Sequence, residues 1–117
     1  IMLNNSLPVQ QIAPGVFVAG QLESTALQAL ANAGFKCVIN NRPDYEGGPT
    51  QPTNAAMQAA ALAAGLEYHY LPVQGAYQSP AEIAAFALLL SSTPRPLLAF
   101  CRSGARSTRL YEAATQS

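Results

Sequence analysis

The sequence predicts an α/β domain: a parallel sheet flanked by helices in three layers. Two observations carry that expectation. Strand and helix signals alternate from Val16 to Thr115 in the order βαβαβαβα, and helical crossovers of that length join parallel strands. The strand segments are short, continuous apolar runs, such as Cys37-Val38-Ile39 and Leu97-Leu98-Ala99-Phe100, as strands covered on both faces require. Half of the 117 residues are hydrophobic, enough to fill one core, and the length suits one domain rather than two.

Taken in order, residues 1–11 carry no clear signal and are expected to be a loosely ordered segment of the single domain 1–117. Val16-Phe17-Val18-Ala19 reads as a strand after Pro14-Gly15. Ser24 to Ala33 reads as a helix, with Ala26, Leu27 and Leu30 at helical spacing and Gly34 as its stop. Phe35 to Asn40 is the next strand. The segment from Asn41 to Pro49 is too rich in Pro and Gly for either element. Thr53 to Ala64 is an Ala-rich helix ended by Gly65, and Leu66 to Val73 is a strand. Ser79-Pro80-Ala81-Glu82 is a capping box with Pro at the first helical position, and that helix runs to about Ser91. Leu97 to Phe100 is a buried strand, Cys101 to Ala105 a tight loop, and Arg106 to about Thr115 the last helix. Ligands of such sheets sit beyond the carboxyl ends of the strands. Cys101, Asn40 to Glu46 and Gln74 to Gln78 all lie at such ends.

Charge narrows the function. Six basic residues balance six acidic ones, which argues against a nucleic-acid or membrane-surface partner. Three of the six, Arg102, Arg106 and Arg109, nevertheless cluster where a small anionic substrate can use them. Two cysteines far apart in sequence are fewer than a secreted disulfide scaffold carries, so both are expected to be free thiols in a reducing compartment, by default the cytoplasm. No run is long and apolar enough to span a membrane. No metal-ligand spacing is present, and neither a metal nor a cofactor is expected.

The chemistry concentrates in Cys101-Arg102-Ser103-Gly104-Ala105-Arg106-Ser107. A buried strand runs into a Cys, a short Gly-containing loop, and an Arg at the head of a helix. The backbone N–H groups of such a loop converge on one point and make a nest for an anion. The helix adds its unpaired N–H groups and positive dipole end, and Arg106 a permanently charged fork. Such surroundings bring a thiol pKa down from about 8.5 to roughly 4–7. Cys37 lies mid-strand without polar neighbours and reads as a small apolar core residue. His69, in a strand, reads as a core residue too.

The Cys-x-x-Gly-x-Arg-Ser loop resembles both the signature of cysteine-based phosphatases and the rhodanese active-site loop. Three further stretches, Val16-Phe17-Val18-Ala19-Gly20-Gln21, Val38-Ile39-Asn40-Asn41-Arg42-Pro43-Asp44 and Tyr70-Leu71-Pro72-Val73, resemble the phosphatase-like domain of beta-lactamase hydrolase-like proteins. The resemblance runs from about Ile12 to Ala113. It implies the dual-specificity-phosphatase fold, and a domain found alone or fused to a persulfide dioxygenase or a sulfide-oxidising enzyme.

Two departures from the phosphatase pattern order the functional expectations. Four residues, not five, separate Cys101 from Arg106, as in rhodaneses. No acid stands between Gln74 and Gln78, where related phosphatases keep the Asp that protonates the leaving alkoxide; Phe100 also replaces the His that commonly precedes the Cys. The first expectation is therefore a sulfurtransferase that takes sulfane sulfur from thiosulfate or a glutathione-type persulfide onto Cys101 and passes it to a thiol, sulfite or cyanide. The alternative is a phosphatase working through a phosphocysteine, and a third reading is a non-catalytic anion-binding or persulfide-binding module. The expected catalytic residues are Cys101, Arg106, Ser107 (bonding the thiolate) and Asp44, the last a candidate proton donor together with Glu46. Arg102, Ser103, Gly104 and Ala105 form the anion-binding loop. Arg42 and Tyr77 are weaker candidates for substrate contact, as is Tyr45 at the rim.

Overall fold

In a computed structural model, residues 7–75 and 77–116 are described; residues 1–6, Ala76 and Ser117 lie outside that set. Five strands and four helices follow the chain as β1 (Val9–Ala13), β2 (Val16–Ala19), α1 (Ala26–Asn32), β3 (Cys37–Asn40), α2 (Asn54–Ala63), β4 (Glu67–Tyr70), α3 (Pro80–Ser92), β5 (Leu97–Phe100) and α4 (Ala105–Thr115). The sheet order is β1-β2-β5-β3-β4. Strands β2, β5, β3 and β4 are mutually parallel, as the alternation predicts.

The expectation fails at the N-terminal segment. Residues 9–11 are not loose: they begin β1, which pairs antiparallel with β2 through Val9↔Ala19, Gln10↔Val18 and Gln11↔Phe17. Residues 1–6 of that segment are among those not described. An edge strand of mixed polar and apolar residues carries almost no periodic signal, and its place is fixed by the open edge of β2, every residue of which is buried.

The helices divide between the two faces. Leu27 and Leu30 of α1 and Met57 and Ala61 of α2 join Phe17, Val38, Leu98 and Phe100 in one core layer. Phe86 and Leu90 of α3 and Leu110 of α4 join Val16, Cys37, Ile39, Leu97 and Ala99 in the other. The central strands are therefore apolar on both sides. Helix α3 begins with the expected capping box: Glu82 N–H donates to Ser79 Oγ at 3.1 Å, and Ser79 N–H to Glu82 Oε1 at 2.8 Å. Thr53 caps α2 by a single bond, accepting from Ala56 N–H at 3.2 Å.

This winding sets the site. The chain leaves β5 toward α4 on one face, whereas its neighbours β2 and β3 lead to α1 and α2 on the other. A crevice opens where connections part to opposite sides, at the carboxyl end of β5. Cys101 is the next residue.

Candidate active site

Strand β5 delivers Cys101 between the ends of β2 and β3. The Cys101 N–H donates to Ala19 O at 3.3 Å, and Asn41 N–H to Phe100 O at 2.8 Å. From there the loop turns back over its own sulfur through Gly104, whose φ of +94° is left-handed. A Cβ at Gly104 would lie 3.4 Å from the Ala19 carbonyl. Gly20 has the same closeness from the other side: a Cβ there would stand 3.0 Å from Arg102 O. Gln21 N–H donates to that oxygen at 3.2 Å, tying the β2–α1 connection to the loop.

The loop closes on the thiol. Gly104 N–H points at Cys101 Sγ from 3.0 Å. Burial by itself pushes the Cys101 pKa up. The backbone N–H groups of Ser107, Ser103, Gly104 and Arg106 outweigh it, and the net value lies below that of an ordinary thiol. Cys37 has no such cradle. Burial pushes its pKa up to about 11; a hydrogen bond with Thr93 works against this and the nearby Glu67 carboxylate adds to it, so polar neighbours are present where none were expected.

Arg106 is pinned beside the sulfur. Its Nη1 donates to Glu46 Oε2 and to Val73 O, each at 2.7 Å, and its Nη2 to Glu46 Oε1 at 2.6 Å. Arg42 Nε holds Glu46 Oε1 from the other side at 2.9 Å. The bond from Arg106, and that from Arg42, keep the Glu46 carboxyl below its ordinary pKa. Glu46 and then the Cys101 thiolate in turn hold the Arg106 proton more tightly than usual. The result is a fork fixed at one end by a carboxylate, with the sulfur within its reach.

Other expected residues are placed differently. Ser107 Oγ donates to Asn41 Oδ1 at 2.8 Å, and Asn41 Nδ2 to Leu71 O at 2.9 Å. The single hydroxyl proton is thus committed to Asn41, and Ser107 serves the thiolate through its backbone N–H instead. Asp44 is turned away to the start of α2, where Oδ1 accepts from Asn54 N–H at 2.7 Å; this is a capping contact, not a proton donor's position. Arg42 is buried and spent on Glu46 and Gln21 Oε1. Tyr77 and Tyr45 are exposed at 75% and 66%, and neither is among the residues lining the cavity that lies over the loop. His69 is half-exposed, because β4 is the sheet's edge.

A cavity of about 350 Å³ lies over the loop, lined by Glu46, Arg102, Ser103, Ala105, Arg106 and Arg109 among others. A larger hollow of about 440 Å³ lies on the side of Pro8 and Val18 and lacks both Arg106 and Glu46, so the smaller one is the one onto which Arg106 and Glu46 open. Arg109 lines both. From the sequence Glu46 is a candidate proton donor and Arg109 part of the arginine cluster; the structure places Glu46 as the partner of Arg106 instead, and the bond from Ser107 to Asn41 has no counterpart among the expectations. Arg109 is one turn beyond Arg106 on α4, Glu46 is the last acid of a strand-end loop, and Asn41 is the first residue after β3.

A family model described as "Beta-lactamase hydrolase-like protein, phosphatase-like domain" matches residues 9–117. A beta-lactamase hydrolase-like protein of Xylella fastidiosa (strain Temecula1) is 40% identical over 94 residues, 80% of this chain and 22% of that protein. The chain thus spans about a fifth of that relative's length. A structure from Neisseria meningitidis that carries a phosphatase name superposes with TM-score 0.78 at 26% identity, covering 91% of this chain and 75% of that one. TpbA of P. aeruginosa, solved in complex with pTyr, shares the fold with TM-score 0.62 at 15% identity, over 92% and 61% of the two chains. Among the described residues no helix is long and apolar enough to cross a membrane.

Proposed function

This chain belongs to the family of phosphatase-like domains of beta-lactamase hydrolase-like proteins, and on that footing we propose that it is a cysteine-based phosphoester hydrolase. One observation carries the reading. Four backbone N–H groups and the Arg106 guanidinium surround a single depressed thiol at the end of β5. The phosphatase names of the family and of the Neisseria neighbour support it further.

The Cys101 thiolate attacks phosphorus, an S–P bond forms and the P–O bond to the leaving group breaks. Negative charge on the transferring oxygens is met by the loop N–H groups and Arg106, which are already in position. Water then attacks the phosphocysteine, releasing phosphate and restoring the thiolate. Glu46 is the carboxylate at this cavity, and two arginines hold it ionised. It is a poor acid, so the preferred substrates have leaving groups that depart without a proton: aryl rather than alkyl phosphates.

A second reading, sulfur transfer through a Cys101 persulfide, is favoured by two specific features. The loop has one residue fewer than the phosphatase signature, and a sulfite or thiolate leaving group needs no acid. Its partner would be an enzyme of the persulfide dioxygenase or sulfide-oxidising class that consumes or supplies the persulfide.

The test runs both reactions on one preparation, with Cys101→Ser as the blank. The phosphatase reading expects Cys101-dependent turnover of an aryl phosphate, with alkyl phosphates much slower. A sulfur adduct on Cys101 by mass spectrometry and brisk thiosulfate or persulfide turnover, without aryl phosphate hydrolysis, would overturn it in favour of sulfur transfer. Anion binding with neither turnover would leave a binding module.

A further inference from the structure

Far from Cys101, the parallel pairing of β3 with β4 assembles three donors that are remote in sequence. Cys37 is in register with Glu67, and Ile39 with His69, so the side chains of Cys37, Glu67 and His69 share the α3–α4 face of the sheet. One ligand atom from each, the thiol sulfur, a carboxylate oxygen and an imidazole nitrogen, lies within 4.8 Å of the other two. His69 Nε2 already contacts Glu67 Oε2 at 2.7 Å.

From this juxtaposition we propose a zinc-binding site formed by Cys37, Glu67 and His69, clamping β3 to the edge strand β4. Sulfur, nitrogen and oxygen donors are the set zinc takes, at about 2.0–2.3 Å each, with ligand atoms about 3.5 Å apart in a tetrahedron. Spacings near the 4.8 Å limit must close by about 1 Å, and the His69–Glu67 contact at 2.7 Å must open by a little less, to reach that arrangement. Both mobile members allow it, because the side chains of His69 and Glu67 are 35% and 44% exposed. They also provide the way in, since Cys37 itself is fully buried. Calcium and magnesium would not select a thiol and an imidazole. On binding, the Cys37 S–H proton passes to solvent and the sulfur bonds the metal; no electrons change hands. Water fills the fourth position.

The site is separate from the Cys101 loop. Cys37 is in register with Leu97, four residues before Cys101 on β5, or roughly 13 Å along the strand. A metal there cannot reach the nucleophile, so the clamp and the reaction are separable.

The experiment uses the Cys101→Ser protein, which removes the competing thiol, stripped with chelator and then given zinc or cobalt(II) alone. One zinc per chain should survive dialysis and raise the melting temperature. Cobalt should give tetrahedral visible bands with a thiolate-to-cobalt charge-transfer band. His69→Gln in the same background should weaken zinc at least tenfold, and Cys37→Ser should remove the charge-transfer band. Should Cys37→Ser fail to fold, the partly exposed His69→Gln decides the question. No zinc retained, a cobalt spectrum without the thiolate band, or binding indifferent to His69→Gln would each overturn the proposal.

Discussion

At Cys101 two forces compete: burial favours the neutral thiol, and the loop N–H groups favour the thiolate. Because the second wins, thiolate is present at pH values where Cys37, pushed up to about 11, is still protonated. Both residues are fully covered, but the cover over Cys101 is one short loop bearing exposed Arg102 and Ser103, whereas Cys37 packs with Phe86 and Leu90. Iodoacetamide should therefore label Cys101 faster, with a pH midpoint below that of a free thiol; a midpoint at or above about 8.5 would contradict the cradle. Glu46 is the positioning residue for Arg106. Glu46→Gln keeps the shape and loses the charge, and should lower kcat/KM roughly ten- to a hundredfold by loosening the fork. Its carboxyl is depressed in the fold, so its contribution to stability is present at neutral pH and fades as pH falls through the depressed value. Acid melting curves of the parent should show that loss, and those of Glu46→Gln should lack it. Asp44→Asn, by contrast, should leave turnover unchanged, because an amide oxygen in place of the carboxylate still accepts from Asn54 N–H. A large fall in activity would return Asp44 to the proton-donor role that its contact with Asn54 argues against.

At the scale of elements, the Cys101 loop is built where a strand, a left-handed turn and a helix start meet within a few residues. Gly104→Ala puts a side chain into a φ of +94° and against Ala19. It should cost about 1–2 kcal/mol by thermal melting, from the backbone alone, and lower turnover further by shifting the Gly104 N–H off Sγ. The cap of α3 lies away from this chemistry. Ser79→Ala removes one half of a reciprocal pair and should cost about 1 kcal/mol without changing the kinetics. Measured together, the two variants separate a turn that builds the site from a cap that merely holds a helix. The capping box was readable in sequence because it is local: four consecutive residues contain every partner. The Glu46–Arg106 pair joins residues 60 apart in the chain, and no local pattern announces it.

For the whole molecule, β1 is the piece with the largest consequence for solubility. It covers the outer edge of β2, whose four residues are all buried. Removing residues 1–13 should lower the melting temperature and promote association, since β2 would then offer unpaired backbone and apolar side chains to another chain. Size-exclusion chromatography alongside melting checks this, and an elution volume and melting temperature unchanged from the parent would contradict it.

The alternation of apolar runs and helical spacing determined the parallel sheet and its two helical layers, because each element must bury its own apolar face whatever its neighbours are. The strand–Cys–Gly–Arg–helix run likewise determined the thiolate site, because a nest and a helix start are built from residues adjacent in sequence. What only the tertiary structure decided are the partners supplied by other elements. Strand order placed β5 between β2 and β3, brought Glu46 rather than Asp44 to Arg106, and gave the Ser107 hydroxyl to Asn41. The same register set Cys37 beside Glu67 and His69. Such contacts depend on which strands lie side by side and in what register, and a linear pattern specifies each strand's faces but not its neighbour.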